Sequence, residues 1–461
     1  MAGYLDTDRF AARIVVRLMI AILAVYALVA QPASAQSILR DAETEALLAE
    51  MSRPLIEAAG LDPRNVQVVL IFDKEINAFV AGGQVVYIHS GLFTAAANAN
   101  EVQGVIAHEL GHIQGGHVVR FGEGMKAATG ITLLSLLVGV AAMAAGAGEA
   151  GAGIMAAGQQ AALGKFLAFS RAQESSADAA GVRYLQAAGI SGQGSLAFFK
   201  RLQGMEFRLA IPQEDSYART HPLSGERITI LREQYERSPA WNNKTDPALE
   251  ARFQRVKAKL DGFVSDANVT LRKYPEGTNT VPARYARAYA WHRTAYPDKA
   301  LAEVKALLAQ SPHDPYFLEL EGQVLLESGH PDEALPALRE ATALTNNQPL
   351  IAALFGHALI STENPDNFAE AEKILRSAVA RDNNNPFAWY QLGVVYDRRG
   401  DGPRAALATA ERYNLENQPR LALASAEAAM HGIPEGTPDW LRAQDIAMVS
   451  RTAASEEKRR R

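Results

Sequence analysis

The chain has 461 residues, 48% of them hydrophobic and 21% charged, and a formal net charge of -5. That length accommodates two or three domains with full cores, and that charge offers no footing for nucleic acid as a partner. It contains no cysteine, which excludes disulfides, thiol catalysis, thiolate-held zinc and a lipidated N-terminal cysteine.

The N-terminal stretch reads as an export signal. Arg9, Arg13 and Arg17 precede an uncharged apolar run from Leu18 to Ala30, and Ala33-Ser34-Ala35 supplies a small-x-small cleavage pattern. The apolar run is short for a membrane span. Residues 1–35 are therefore expected to be a signal peptide cleaved near Ala35–Gln36, which leads to the periplasm. Residues 37–60 then read as a helix, because Leu39, Ala42, Leu47, Leu48, Met51 and Leu55 recur at helical spacing. Val66–Phe72 and Val85–His89 read as strands, with Asn77–Gly83 as a turn-rich link. The small sheet has two readings: an edge that holds an extended peptide by β-augmentation, with Asn77, Ala78 and Phe79 as the contact, or a plain structural hairpin.

Next comes Val105-Ile-Ala-His-Glu-Leu-Gly-His112. Positions four apart share a helix face, so His108 and His112 could offer two imidazole nitrogens to one Zn²⁺. Glu109 beside them could take a proton from water at the metal. Asn98 stands three residues before Glu101, a capping-box spacing that opens the helix.

Residues 127–148 carry no charge between Lys126 and Glu149. Half of these positions are Ala or Gly, and only Ile131–Val140 is strongly aliphatic. A single span here would separate the two halves of a metal site completed by Glu174, and a pair of spans is disfavoured because the second half contains Glu149, Gln159 and Gln160. The segment 126–165 is therefore read as a mobile apolar hairpin near the active site, a lid or a peripheral membrane contact.

Residues 161–206 read as helical. A catalytic zinc keeps three protein ligands and an open position, so a third ligand is needed. His117 lies five residues after His112; on a continuing helix that takes it off the ligand face, and it is read as an ordinary polar helix-end residue. Glu174 is the better candidate, with Asp178 one turn on, placed to accept the outer N–H of a ligand histidine. His221, before Pro222 and a further helical stretch, is either a donor to the developing oxyanion or a structural cap.

Residues 237–282 read as a connector, polar and helical over 248–275. Beyond it the chain repeats. Gly322, Gly356 and Gly393 recur at 34 and 37 residues, and Ala300, Ala334, Ala371 and Ala405 at 34, 37 and 34. The three extra residues fall around Asn364-Pro365-Asp366, and Pro315, Pro349 and Pro386 open units. Trp389-x-x-Leu-Gly-x-x-Tyr396 matches the first helix of a tetratricopeptide repeat. Residues 283–450 are therefore expected to form an all-α solenoid with a concave docking surface, and 451–461 a frayed charged tail.

Four pieces in order carry a family resemblance: Asn77-Ala-Phe79 with Gly82-Gly83, His108-Glu-Leu-Gly-His112, Ser170-Arg-Ala-Gln-Glu174-x-x-Ala-Asp178, and His221-Pro222 with Arg227. They span most of residues 40–235, and the chain resembles the zinc metallopeptidase family that includes HtpX and the CAAX prenyl endopeptidases, in its periplasmic branch with C-terminal tetratricopeptide repeats. The resemblance implies one Zn²⁺ held by His108, His112 and Glu174, with Glu109 as general base and Asp178 as an outer partner. It puts His221 and Arg227 near the active site, where they would assist the transition state or gate the metal. The chain departs from its membrane-embedded relatives in the apolar hairpin, where they have true spans.

The expectation is a mainly α protein: an α+β protease domain over 36–236 with a small sheet beside the zinc helix, then the solenoid. Its expected function is a zinc endopeptidase of the cell envelope acting on unfolded or misassembled protein in outer-membrane quality control. The repeats would dock substrate or a protein partner such as the outer-membrane assembly machinery. The competing reading is a tetratricopeptide scaffold or chaperone whose protease domain is inactive or auto-inhibited.

Overall fold

The computed structural model describes residues 37–144, 147–209, 221 and 225–460. The expected signal peptide and Pro222 lie outside the described residues. The first elements make a four-stranded sheet, β1 (Ile38–Leu39), β2 (Gln67–Ile71), β3 (Ala78–Ala81) and β4 (Val85–His89), in the order β1-β2-β4-β3. β2 and β4 run parallel, and β3 is an antiparallel edge strand on β4. Two expectations change here. The helix expected from residue 37 begins only at α1 (Ala42–Ala58), capped by Asp41, because Ile38 and Leu39 pair with β2 first. The turn-rich link is a strand over Ala78–Ala81, and its turn is confined to Gly82 and Gly83, whose φ of +61° and +101° glycine adopts without strain.

After α2 (Ser90–Ala95) comes α3 (Ala99–Gln114), whose residues from Ala99 to His112 are all buried. It runs through the core, its apolar residues in the main cluster and its buried polar ones paired or grouped at the site. It is covered by α5 (Gly148–Ala187) and α6 (Gln193–Leu209). The approach is backbone to backbone: a Cβ on Gly111 would sit 2.7 Å from the Ala177 carbonyl oxygen, and one on Gly104 2.7 Å from the Ser195 Cα. The helix expected over 161–206 is thus two, broken at Ala188–Gly192 where Gly189 has φ +68°.

α4 (His117–Ala144) and α5 form a long antiparallel pair. α4 is long and apolar enough to cross a membrane, and its Leu134 and Leu137 are 64% and 69% exposed. The pair returns the chain to the side it left, so the topological objection to a membrane segment applies to a single span and not to this hairpin. Its small residues serve close packing. A Cβ on Gly151 would lie 2.5 Å from the Gly139 carbonyl, and one on Gly158 2.0 Å from Ser135.

α7 (Gly225–Glu236) completes the site side, and α8 (Pro247–Val264) follows. The polar connector is a core helix on one face: Phe253, Val256 and Leu260 join the same cluster as the α3 residues. After α9 (Ala267–Lys273), five helix pairs stack: α10/α11 (Val281–Arg293, Pro297–Leu308), α12/α13 (Pro315–Glu327, Pro331–Leu344), α14/α15 (Pro349–Ser361, Phe368–Arg381), α16/α17 (Pro386–Arg398, Gly402–Leu415) and α18/α19 (Pro419–Gly432, Pro438–Arg460). Pro315, Pro349 and Pro386 stand in the first helical turn, where the missing N–H costs nothing. Gly322 and Gly356 leave room for Leu338 and Leu375 of the following helix. The three extra residues form a 3-10 turn, Pro365–Asn367. The tail expected to fray continues α19 to Arg460, its Glu457 3.6 Å from Arg420.

A buried ionic joint ties α1, α8 and the first repeats together. Lys259 Nζ lies 2.6 Å from Asp41 and 3.2 Å from Glu43, and the Tyr285 hydroxyl donates to Glu43 at 2.8 Å. Arg255 bridges Glu43 and Asp314. Glu319 on α12 is enclosed beside this group, and its Oε2 accepts no hydrogen bond. Burial pushes its carboxyl up to about 8 against the pull of Lys259, aided by Asp41 and Glu43.

The Gly111→Ala variant is expected to lose about 1–3 kcal/mol of stability, the usual cost of overpacking, read from urea unfolding; an unchanged midpoint would refute the backbone contact with Ala177. Glu319 ionises near 4.5 unfolded but higher when folded, so the stability it contributes is complete below pH 4.5 and is lost as the pH rises through about 8. Urea unfolding at pH 5 and pH 9 should therefore show a larger alkaline loss for the wild type than for Glu319→Gln.

Candidate metal centre

α3 presents the first donors. Its start is set by Asn98, whose side chain accepts from the Glu101 N–H at 3.0 Å, while Glu101 accepts from the Ala97 N–H at 2.8 Å. One turn apart on the buried face, the Nε2 atoms of His108 and His112 lie 3.1 Å from each other. α5 brings Glu174 opposite: Oε2 is 3.4 Å from His108 Nε2, and Oε1 is 3.3 Å from His112 Nε2. Asp178, one turn further, holds the outer nitrogen of His108 at 3.0 Å. Arg227 of α7 donates to both Asp178 oxygens at 2.7 and 2.8 Å and stands 3.1 Å from Glu174. One guanidinium thus fixes both carboxylates.

His221 joins the ligand group itself. Its Nδ1 lies 3.3 Å from His108 Nε2 and 3.1 Å from Glu174 Oε1. Among the described residues, His108, His112, Glu174 and His221 form the one such group, all buried, with ligand atoms within 4.8 Å of one another. The edge of a tetrahedron built on metal–ligand bonds of 2.0–2.1 Å is about 3.3–3.4 Å, and the separations above cluster around that value. A second observation agrees. Both carboxylate oxygens of Glu109 are buried and accept no hydrogen bond, with His221 Nε2 3.5 Å from Oε1. The donors present therefore fit a divalent metal, with the Glu109 carboxylate beside it.

The charges of the group are strongly coupled. Burial opposes charge on His108, yet its hydrogen bonds to the Asp178 and Glu174 carboxylates overcome it and push the ring up to about 10. Glu174 stays far below the ordinary carboxylate range, its burial outweighed by His221, His108 and His112. Burial would raise Asp178, but His108 and Arg227 hold it low. Both carboxylates are thus held ionised against the rings.

The edge strand borders this group. The Ala78 carbonyl lies 3.3 Å from His221 Nε2. Antiparallel pairing alternates, so Ala78 and Val80 turn their backbone groups outward while the Asn77 carbonyl accepts from the His89 N–H at 2.9 Å. Phe79 and Val80 line a cleft of about 280 Å³ with Glu109, His117, Ser170 and Gln173. Asn77 and Ala78 are both buried, and of the three residues grouped from the sequence Phe79 alone lines the cleft.

His117 corrects the reading from spacing. That reading assumed a continuing helix, but α3 stops at Gln114 and Gly116 takes φ +62°. The chain turns back, and His117 Nδ1 comes to 3.0 Å from His112 Nδ1. The Gly115-Gly116 pair, a helix stop, was the available signal. Nothing in the sequence singled out Ser170 or Gln173 as cleft residues.

Residues 41–235 match the model of peptidase family M48. The chain is 27% identical over 290 residues to a putative β-barrel assembly-enhancing protease of Vibrio cholerae serotype O1, covering 62% of this chain and 59% of that one. It is 27% identical over 272 residues to the β-barrel assembly-enhancing protease of Escherichia coli K12, covering 54% and 52%. The chain thus spans little more than half the length of these curated relatives. It is 30% identical over 193 residues to the metalloprotease YcaL of Escherichia coli K12, covering 41% of this chain and 68% of that one. Among solved structures, YrrB, a TPR protein with an unusual peptide-binding site, aligns with a TM-score of 0.32 at 20% identity, covering 38% of this chain and 92% of that one. With its metal-ligand constellation inside the matched residues, this chain belongs to the metallopeptidases of family M48.

Proposed function

We propose that this chain is a zinc endopeptidase of the bacterial envelope that cleaves unfolded or misassembled polypeptide. The observation that carries this reading is the four-donor group with tetrahedral spacing beside a carboxylate that accepts no hydrogen bond. His108, His112 and Glu174 would hold the metal, one per chain; two imidazoles and a carboxylate suit zinc. When bound, the metal supplies Lewis acidity, polarising the scissile carbonyl and acidifying water. Glu109 then takes the water proton and passes it to the leaving nitrogen. Asp178 and Arg227 keep the ligands oriented. The outward backbone of Val80 gives an extended substrate an edge to pair with along the cleft, where Phe79 is a wall.

The names of the relatives support a role in outer-membrane protein assembly and a periplasmic site of action. In that setting the repeats would dock substrate or a component of the assembly machinery, and the exposed apolar hairpin would meet a membrane surface.

One observation favours a held-back form of the same enzyme. His221 occupies a fourth donor position and faces Glu109, so substrate and water need it to withdraw. On this reading an auto-inhibited form would be a state of the protease, while the scaffold or chaperone reading would need a site that never opens.

Glu109→Gln should bind one zinc per chain like the wild type, while cleavage of casein falls about 10²–10⁴-fold, the usual weight of a general base. Retained cleavage would refute Glu109 as the base, and a wild type without metal would refute the ligand set. His221→Ala should keep its zinc and cleave faster than the wild type in the same assay. A slower variant would make His221 a transition-state donor instead of a gate.

A further inference from the structure

The two ligand histidines of α3 have different outer partners. His108 Nδ1 meets a carboxylate, Asp178, at 3.0 Å. His112 Nδ1 meets a second imidazole, His117 Nδ1, at 3.0 Å. To ligate through Nε2, His112 must carry its proton on Nδ1, and that N–H needs an acceptor. We propose that His117 is the positioning residue of the metal centre, accepting the His112 Nδ1–H and so fixing the tautomer and ring plane of that ligand.

Local structure is built around this contact. α3 ends in two glycines, and the left-handed Gly116 starts a new helix whose first residue is His117. The His117 ring packs on Gly115, where a Cβ would lie 2.3 Å from its Nε2. The rings of His112 and His117 meet edge to face at 80°, which aims one Nδ1 at the other. His117 is 7% exposed.

An uncharged acceptor has a chemical consequence. A carboxylate partner raises the basicity of its ligand and drains charge from the metal; a neutral imidazole does so less. The pairing leaves one well-anchored ligand, His108, and one that is oriented without being made strongly basic. This preserves the Lewis acidity that hydrolysis needs.

The inference rests on the metal-hydrolase reading, and the test separates the two. Full-length mature chain and three variants, His117→Phe, His117→Leu and His117→Gln, are stripped of metal and titrated with Zn²⁺ against a chelator, then with Co²⁺ followed by its visible d–d absorption. Circular dichroism of the metal-free proteins reports folding. Phe keeps the ring shape without an acceptor; Leu and Gln are matched in size, and only Gln can accept. The expected result is a 10–100-fold loss of Zn²⁺ affinity in Phe and Leu with an altered cobalt spectrum, and recovery to within a few-fold in Gln. Phe or Leu binding as tightly as the wild type with an unchanged spectrum would overturn the proposal. Equal losses in Leu and Gln, both folded, would overturn it too, since shape and not acceptance would then matter. A wild type that binds neither metal would instead remove the reading of the ligand set.

Discussion

The contact on which the rest of the metal centre depends is the backbone approach of α3 to α5. Gly111 has no side chain because the Ala177 backbone occupies that space, and Gly181 brings α5 close to the His108 amide. Only at this separation can a glutamate side chain on α5 reach imidazoles on α3. Glu174 and Asp178 flank the contact residue Ala177, so the same close packing delivers both carboxylates, one to the metal side of the rings and one to the far side. A core this dense gives no room for the ligands to drift.

Charge is the second organising constraint. Two ionised carboxylates and two imidazoles are buried together, a costly arrangement unless compensated. Arg227 supplies part of that compensation through three nitrogens, and its helix lies beyond residues 210–220, far along the chain from α3. A metal would supply the remainder. His221 then occupies the position that a hydrolase needs open. Both Glu109 oxygens, buried beside this group, keep unspent hydrogen-bond capacity.

Charged contacts join the repeats to the protease part, beside an apolar cluster of Ala42 with Leu318, Ala341 and Ile351. α8 turns an apolar face to the core around α3 and sends Arg255 and Lys259 toward Asp41, Glu43 and Asp314. The aromatic rings of Tyr285 and Phe317 lie over these cations, at 5.8 Å and 4.6 Å from Arg255. Such a joint is directional: each hydrogen bond specifies an orientation that a purely apolar contact would leave loose. It fixes the first repeats against α1, while the later helix pairs follow by repetition.

Local features were legible in the sequence because they depend on local physics. The four-residue spacing of His108 and His112, the Asn98 cap, and the 34-residue register of Gly322, Gly356 and Ala334 each follow from helix geometry or from one repeat packing on the next. Even the insertion at Pro365 could be placed, since only three residues were out of register. What required the tertiary structure were contacts between segments distant in sequence or separated by a chain reversal. His221 becomes a fourth donor only because α7 packs against α5 and α6, and β3 becomes an edge strand only when β4 is there to pair with it. His117 reaches His112 because Gly116 reverses the chain, a change of direction that helical spacing alone cannot express. The sequence by itself determined which residues could bind a metal and which segments would repeat. The tertiary structure decided which nitrogens face each other, because that depends on backbone separations of a few ångströms between helices far apart in the chain.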